Sequence, residues 1–511
     1  MSNYFSPIFL DYIEGKSTLT PFYQYTPQVS SFKDVITNRT FEPGKRELLH
    51  AVLSEQYKNL PAHQAVENNI KRLKEPNTFT ITTGHQLNIF TGPLYFIYKI
   101  VTAINTCKIL AEQYPEYNFV PVYWMASEDH DFEEINHFSL FGKTYKWETD
   151  QQGPVGRFDT SSIQALLDAL PEKVALFEKA YKEHGTLADA TRAYVHALFG
   201  GEGLIVLDAD HPHLKGSFKH VIKDDIFHHH ANEIVTACNE ELAQNQYKSQ
   251  IYPREINFFY MEDGLRERVV ENEGRFDVLN TDLSFSKEEL EALIDSAPEK
   301  FSPNVVLRPL YEEIVLPNLA YIGGPAEMAY WLQLKGVFEH YDTPFPMLMP
   351  RNFALIINKN SCHKLEKLGI SPVELFMPYH ELKQKYIDEN TENGYHLDEE
   401  KAALEALFQK VKERAAKKDK SLEGFVGAEA TKALKSLDNI SKRLQKAEEK
   451  NQEVALKQLE SLKDKLFPGG GLQERSENIL NFYINSPEII SFILLNLDPF
   501  DFKFNIIMDD E

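Results

Sequence analysis

Cysteine is scarce in this chain, with three in 511 residues. Cys107, Cys238 and Cys362 are widely spaced, which excludes a disulfide framework and a thiolate metal site and leaves each as a small core residue. Also missing is any apolar run long enough to cross a bilayer. The N-terminus, MSNYFSPIFLDYIEGK, lacks the basic start and apolar centre of a signal peptide. Positive charge is in deficit: 54 Lys and Arg against 77 Asp and Glu give a formal net charge of −23. A surface of that sign argues against nucleic acid and anionic membrane as partners. A soluble cytoplasmic protein is expected, long enough for more than one domain.

Short apolar runs recur, each followed by a glycine-containing or polar turn and a helix-like segment. Thr78–Thr83 precedes Gly84 and a helical spacing through Ile97, Ile100 and Ile104. Phe119–Ala126 precedes an acidic cluster, and Leu204–Leu207 precedes Asp208, Asp210, His211 and His213. Leu319–Ile322 precedes Gly323 and Gly324; Phe345–Met349 precedes Arg351 and Asn352. This alternation predicts an α/β fold, a doubly wound Rossmann-type parallel sheet over residues 1–385. Connecting insertions are expected at about 143–200 and 245–300, the second with a hairpin at Asp263-Gly264. Residues 386–467 are rich in Ala, Glu, Lys and Leu, with Leu437, Ile440, Leu444, Ala447 and Val454 at coiled-coil spacing. Gly424 and Gly427 are expected to divide this region into the arms of an antiparallel α-helical coiled-coil hairpin. Residues 468–511 are expected to return to the core.

The stretch PVYWMASEDHDFEEINH (Pro121–His137) carries the strongest chemical signal. A buried strand that empties into acids and imidazoles does so where open α/β sheets bind ligands. The bland reading is a wet helix start, with Ser127 as cap and the acids complementing the dipole. Thr83-Gly84-His85-Gln86 and Thr91-Gly92-Pro93 form a glycine turn before a helix, a weak anion-binding signal that puts Tyr95 at the same mouth. Asn304, Arg308 and Gly323–Glu327 make a third polar outbreak. Arg308 could clamp a carboxylate and Glu327 could hold an ammonium, or either could sit in a structural ion pair. His228, His229 and His230 are consecutive, so they cannot converge on one metal. The string Lys417–Ser421 (KxxKS) lies in the helical region and reads as a solvated face.

Six blocks in order, TGHQLNIFTGPLYFIYKI, PVYWMASEDHDFEEINH, GPVGR, FSPNVVLRPLYEE, YIGGPAEMAYW and LFPGGGLQERSENIL, resemble the bacillithiol biosynthesis cysteine-adding enzyme family. The resemblance implies a Rossmann-type core, a coiled coil supporting a homodimer, and a ligase that joins L-cysteine to the amino group of glucosaminyl-malate. The expected route activates the cysteine carboxyl with ATP, with no metal. In that frame His85, Gln86 and the Gly84/Gly92 backbone bind phosphate or a developing oxyanion. Asp129 or Asp131 holds an amine, and Glu128 or His130 takes its proton. Arg157 or Arg308 meets the malate carboxylates, with Thr91, Tyr95, Asn304, Gly323, Gly324 and Glu327 nearby. Gly469, Gly470 and Arg475 form a second candidate anion nest for a nucleotide. Two rival readings are a metal-dependent hydrolase with His130, Asp131 and His137 as ligands, and a noncatalytic nucleotide-binding dimeric scaffold.

Overall fold

The computed structural model describes residues 4–391 and 395–509. Two compact units result: residues up to 355 with 472–507, and residues 356–471.

The first unit is built on five parallel strands, β1 (Thr78–His85), β2 (Asn118–Met125), β3 (Ile205–Asp208), β4 (Asn318–Gly323) and β5 (Met347–Pro350). Their spatial order is β5-β4-β1-β2-β3, all pairs parallel. Both faces are covered: Leu348 packs into one apolar cluster, Met347 and Met349 into the other. Continuous apolar runs are what such doubly buried strands require. The threonines of β1 are the exception, and Asn318 explains them. Its Oδ1 accepts from Thr82 at 2.8 Å and Thr80 at 3.3 Å, satisfying hydroxyls that no water reaches.

Helix α1 (Tyr95–Gln113) joins β1 to β2 and is apolar around most of its circumference. The C-terminal segment covers its outer side, where Asn105 Nδ2 donates to the carbonyls of Leu494 and Leu497 at 2.8 and 2.7 Å. Two further helices border the sheet's carboxyl edge: α2 (Arg308–Val315) before β4, and α3 (Pro325–Trp331) after it. The Asp263-Gly264 hairpin is present, with Gly264 at φ +76°. It belongs to an antiparallel sheet whose strand Leu265–Asn272 carries Arg266. The stretch 143–200 ends in a largely buried helix, Leu187–Phe199, leading towards β3.

In the second unit, helices Asp398–Ala416 and Leu422–Asn451 form a coiled-coil hairpin. Its turn is not at Gly424 and Gly427, which lie inside the second helix. The break falls at Lys417–Ser421, where the Asp419 carboxylate accepts the Ser421 N–H at 2.8 Å. Local Asp turn chemistry decided the position, while each glycine costs a helix only about 1 kcal/mol. Helix Glu453–Leu466 follows and buries Leu456, Leu459, Leu462 and Leu466. This unit also takes in residues 356–385.

Arg351, just past β5, pairs both terminal nitrogens with Glu474 at 2.7 and 3.0 Å; the side chains are 3% and 1% exposed. Glu474→Ala is expected to cost about 3–5 kcal/mol, because it strands a buried guanidinium. Arg351→Met with Glu474→Leu is expected to lose less. All three tryptophans, Trp124, Trp147 and Trp331, lie in the first unit, so urea unfolding followed by tryptophan fluorescence reads the difference.

Candidate active site

The carboxyl ends of β1, β2 and β4 open into a cavity of about 430 Å³. Strand order reverses between β1 and β4, so the cavity occupies the topological switch point. Its floor is organised by Lys99 of α1, whose side chain is 3% exposed. The ammonium donates to the Gly84 carbonyl at 2.7 Å and lies 2.7 and 2.6 Å from the two oxygens of Glu327. Glu327 also accepts from the Tyr321 hydroxyl and the Gly324 N–H, each at 2.7 Å. A Cβ on Gly84 would sit 3.3 Å from the Tyr321 hydroxyl, so the close approach of β1 to β4 favours glycine there.

His85 lines the cavity between the rings of Tyr95 and Phe96, each 5.3 Å away. Burial, reinforced by Lys99 and Arg351, pushes its pKa well below the usual range, so it is neutral at pH 7. Its Nε2 is buried without a partner. Across the mouth, burial raises the pKa of Asp129, but Arg308 and Arg266 outweigh it and hold the carboxyl at about 2. Their guanidiniums stand 3.8 and 3.9 Å away, and Gln86 Nε2 donates at 3.2 Å. Gln86 also donates to Glu134, an exposed carboxylate on the rim, at 2.8 Å. Arg351 and the exposed Arg475 add positive charge to the lining. Glu312 of α2 lines the cavity, 3% exposed, with no hydrogen-bond partner for Oε1.

The family described as "Bacillithiol biosynthesis BshC, N-terminal Rossmann-like domain" matches residues 1–352, and its "C-terminal coiled-coil domain" counterpart matches 354–508. The chain belongs to the bacillithiol biosynthesis BshC family. Relatives named "Putative cysteine ligase BshC" occur in Cytophaga hutchinsonii, 42% identical over 99% of this chain and 97% of the relative. Another, in Flavobacterium psychrophilum, is 44% identical over 99% of this chain and 98% of the relative. A more distant member from Salinibacter ruber is 30% identical over 95% and 93%.

For a member of the BshC family, the cavity gathers nine of the residues expected from sequence: Gly84, His85, Gln86, Tyr95, Asp129, Arg308, Gly324, Glu327 and Arg475. Others are committed elsewhere. Glu128 is buried in an ion pair with Lys215, itself fully buried. The Nδ1 of His130 lies 2.5 Å from an Arg266 nitrogen. Arginine only donates, so that lone pair is taken and the ring proton sits on Nε2. Asp131 is exposed at the start of the short helix Phe132–Ile135. Arg157 forks onto Asp210 at 2.8 and 3.1 Å and reaches Asp263 at 2.8 Å. Asn304 joins Asn257 at 2.9 Å, and Gly323 packs against Met328 outside the lining. Gly469 and Gly470 end the helical unit and do not line the cavity.

The expected anion nest at Thr91-Gly92 is closed. Phe90, Thr91 and Gly92 all have positive φ, and Asn478 pins the carbonyls of Phe90 and Gly92 at 2.8 and 2.6 Å. The Leu94 N–H is taken by the Glu477 carbonyl at 2.8 Å. The hydrolase ligand set also disperses: His137 is exposed on a separate strand, its Nδ1 3.1 Å from Asn136. Of the three consecutive histidines, His230 alone joins a cluster with Asp224 and His340, outside the cavity. Lys99, Arg266 and Glu312 were not singled out from sequence, and Arg351 was noted only as the residue that follows a strand. A lysine inside the apolar run YFIYKIVTAI was the one visible sign of Lys99.

Because the Asp129 carboxyl is held at about 2, its stabilisation is present above the ordinary carboxylate range and fades as pH falls towards 2. Asp129→Asn is therefore expected to lose about 2 kcal/mol at pH 7. Urea midpoints of the two proteins should draw together as the pH is lowered below 4.

Proposed function

We propose that this cavity is the active site of a cytoplasmic ligase that joins the carboxyl group of L-cysteine to the amino group of glucosaminyl-malate, completing bacillithiol. The observation that carries the reading is the facing of two arginines, Arg308 and Arg475, by Asp129 and Glu312 across the switch point of a BshC-family core. Such a lining suits substrates that carry both charges. The cysteine carboxylate attacks the α-phosphorus of ATP, the α–β phosphoanhydride bond breaks and pyrophosphate leaves, giving an acyl-adenylate whose phosphate meets Arg308 and Arg475. His85, held neutral, offers its free Nε2 to the carbonyl oxygen as charge develops there.

Asp129, ionised at every working pH, orients the acceptor amine. As the amine attacks, a C–N bond forms, the acyl–phosphate bond breaks, AMP leaves, and the amine loses a proton. With Glu128 and His130 engaged by Lys215 and Arg266, Glu134 on the rim is the carboxylate placed to take it. Mass spectrometry of protein incubated with cysteine, glucosaminyl-malate and ATP is expected to show bacillithiol and AMP. Arg308→Ala is expected to cut kcat/KM about 100-fold or more. No product, or undiminished turnover by Arg308→Ala, would contradict the reading; no product with retained nucleotide binding would favour a scaffold.

The second unit supplies a homodimer contact in the same proposal. No residue of helices Asp398–Ala416 and Leu422–Asn451 is fully buried, and Leu407, Phe425, Ile440 and Leu444 are 56%, 65%, 49% and 41% exposed. An apolar stripe of this kind fits a second copy of the hairpin. Phe425→Asp with Ile440→Asp is expected to convert a dimer to a monomer in sedimentation equilibrium, with helix content by circular dichroism unchanged. A wild-type monomer would contradict the contact.

A further inference from the structure

Four carboxylates line the cavity, and three have occupations. Glu327 holds Lys99, the Tyr321 hydroxyl and the Gly324 N–H. Asp129 stands between two guanidiniums, and Glu134 takes Gln86. Glu312 differs. It lies one turn beyond Arg308 on α2, so both side chains share one face. It is 3% exposed, makes no ion pair among the described residues, and leaves Oε1 without a hydrogen bond. Its Oε2 would be 3.7 Å from a Cβ on Gly84, beside the Tyr321 hydroxyl. The end of β1 is thus bare of side chain where this carboxyl faces it.

A buried carboxyl without a partner is costly, and native interiors rarely keep one unless something arrives to complete it. The groups facing it sharpen the point. Burial is the main influence raising its pKa, Glu313 on the same helix and Glu327 on α3 add to it, and Lys99 opposes them only in part. Glu313 has its own partner, Arg39, at 2.9 Å. The Glu312 carboxyl is therefore pushed towards its neutral form in the free protein, and a cation placed against it would favour the ionised form.

We propose that Glu312 is the receptor for the α-ammonium group of the amino-acid substrate. This rests on the reading of the cavity as the cysteine site and deepens it. Binding exchanges one cation for another: a proton held by the carboxyl passes to solvent as the ammonium arrives, and the carboxylate accepts N–H donors from the cysteine ammonium. Total charge and protons balance. The consequence for the reaction is selectivity between amines. Cysteine's own nitrogen stays protonated and cannot attack an activated carboxyl, so the acceptor's amine is the nucleophile that remains. Glu327, which the sequence offered either for an ammonium or for a structural ion pair, is unavailable because Lys99 already fills it.

Isothermal titration calorimetry at pH 6.5, run in MES and in imidazole, which differ in ionisation enthalpy, reads proton release directly. The probes are L-cysteine and 3-mercaptopropionate, which keeps the thiol and carboxylate but lacks the amine. Wild type is expected to release protons on binding cysteine and none on binding 3-mercaptopropionate. Glu312→Gln is expected to bind cysteine about 30-fold or more weakly, without proton release, and to bind 3-mercaptopropionate as wild type does. The substitution keeps shape and removes a buried acid, so a thermal melt of Glu312→Gln at pH 8 should be no lower than wild type. Cysteine binding with no proton release and equal affinity in Glu312→Gln would overturn the role of Glu312 and leave the cysteine site standing. Failure of both probes to bind wild type would overturn the site and this role with it.

Discussion

The architecture of the cavity depends on one buried ammonium. Lys99 reaches from α1 to the last turn of the sheet and touches the Gly84 carbonyl and the Glu327 carboxylate at 2.6–2.7 Å. Through Glu327 the same contact fixes Tyr321 and the start of α3. Burial pulls its pKa down, and Glu327 pulls it back up. A pair of this kind adds little net stability but is expensive to break from one side. Its effect here is geometric. The mouths of β1 and β4 are held at a set spacing, and the two elements that would otherwise present a free cation and a free anion to substrate are mutually satisfied. What remains open for ligands is the outer ring of arginines and the unpaired Glu312.

That division between internal and available charge organises the rest of the site. Glu128 with Lys215, Arg351 with Glu474, and Arg39 with Glu313 are buried pairs that build walls. Asp129 is looser, its arginines nearly 4 Å away, and partly open to the cavity. For the reaction proposed above, a site must tell two amines and several anions apart. Pre-paired walls with a few unpaired groups between them do that better than a general excess of charge, because a misplaced ligand leaves a buried group unsatisfied.

The sheet was legible because doubly buried parallel strands are apolar, as LIVL and LAYI are, and because TFTITT, the exception in its threonines, is β-branched and bounded by a glycine turn. The strand ends were legible too, since acids and glycines have no reason to follow such runs except at an edge; Asp129, Gln86 and Arg308 came from that logic. Sequence could not say which of two neighbouring acids is structural. Glu128 and Asp129 diverge because Lys215 sits behind one of them, and Glu312 and Glu313 diverge because Arg39 reaches only the second. Those partners are remote in the chain. Arg266 arrives from a hairpin in an insertion, and its effect on His130 is a tertiary fact. The helical hairpin was read correctly in kind, but glycine was overvalued as a breaker against an Asp-Lys-Ser turn.

The most direct test of the central claim is a crystal structure of the protein with a non-hydrolysable cysteinyl-adenylate analogue. The account predicts density in the cavity between β1 and β4, the amino-acid nitrogen against Glu312, the phosphate mimic towards Arg308, and Lys99 still paired with Glu327. Ordered density elsewhere on the chain, with this cavity unchanged and empty, would contradict it.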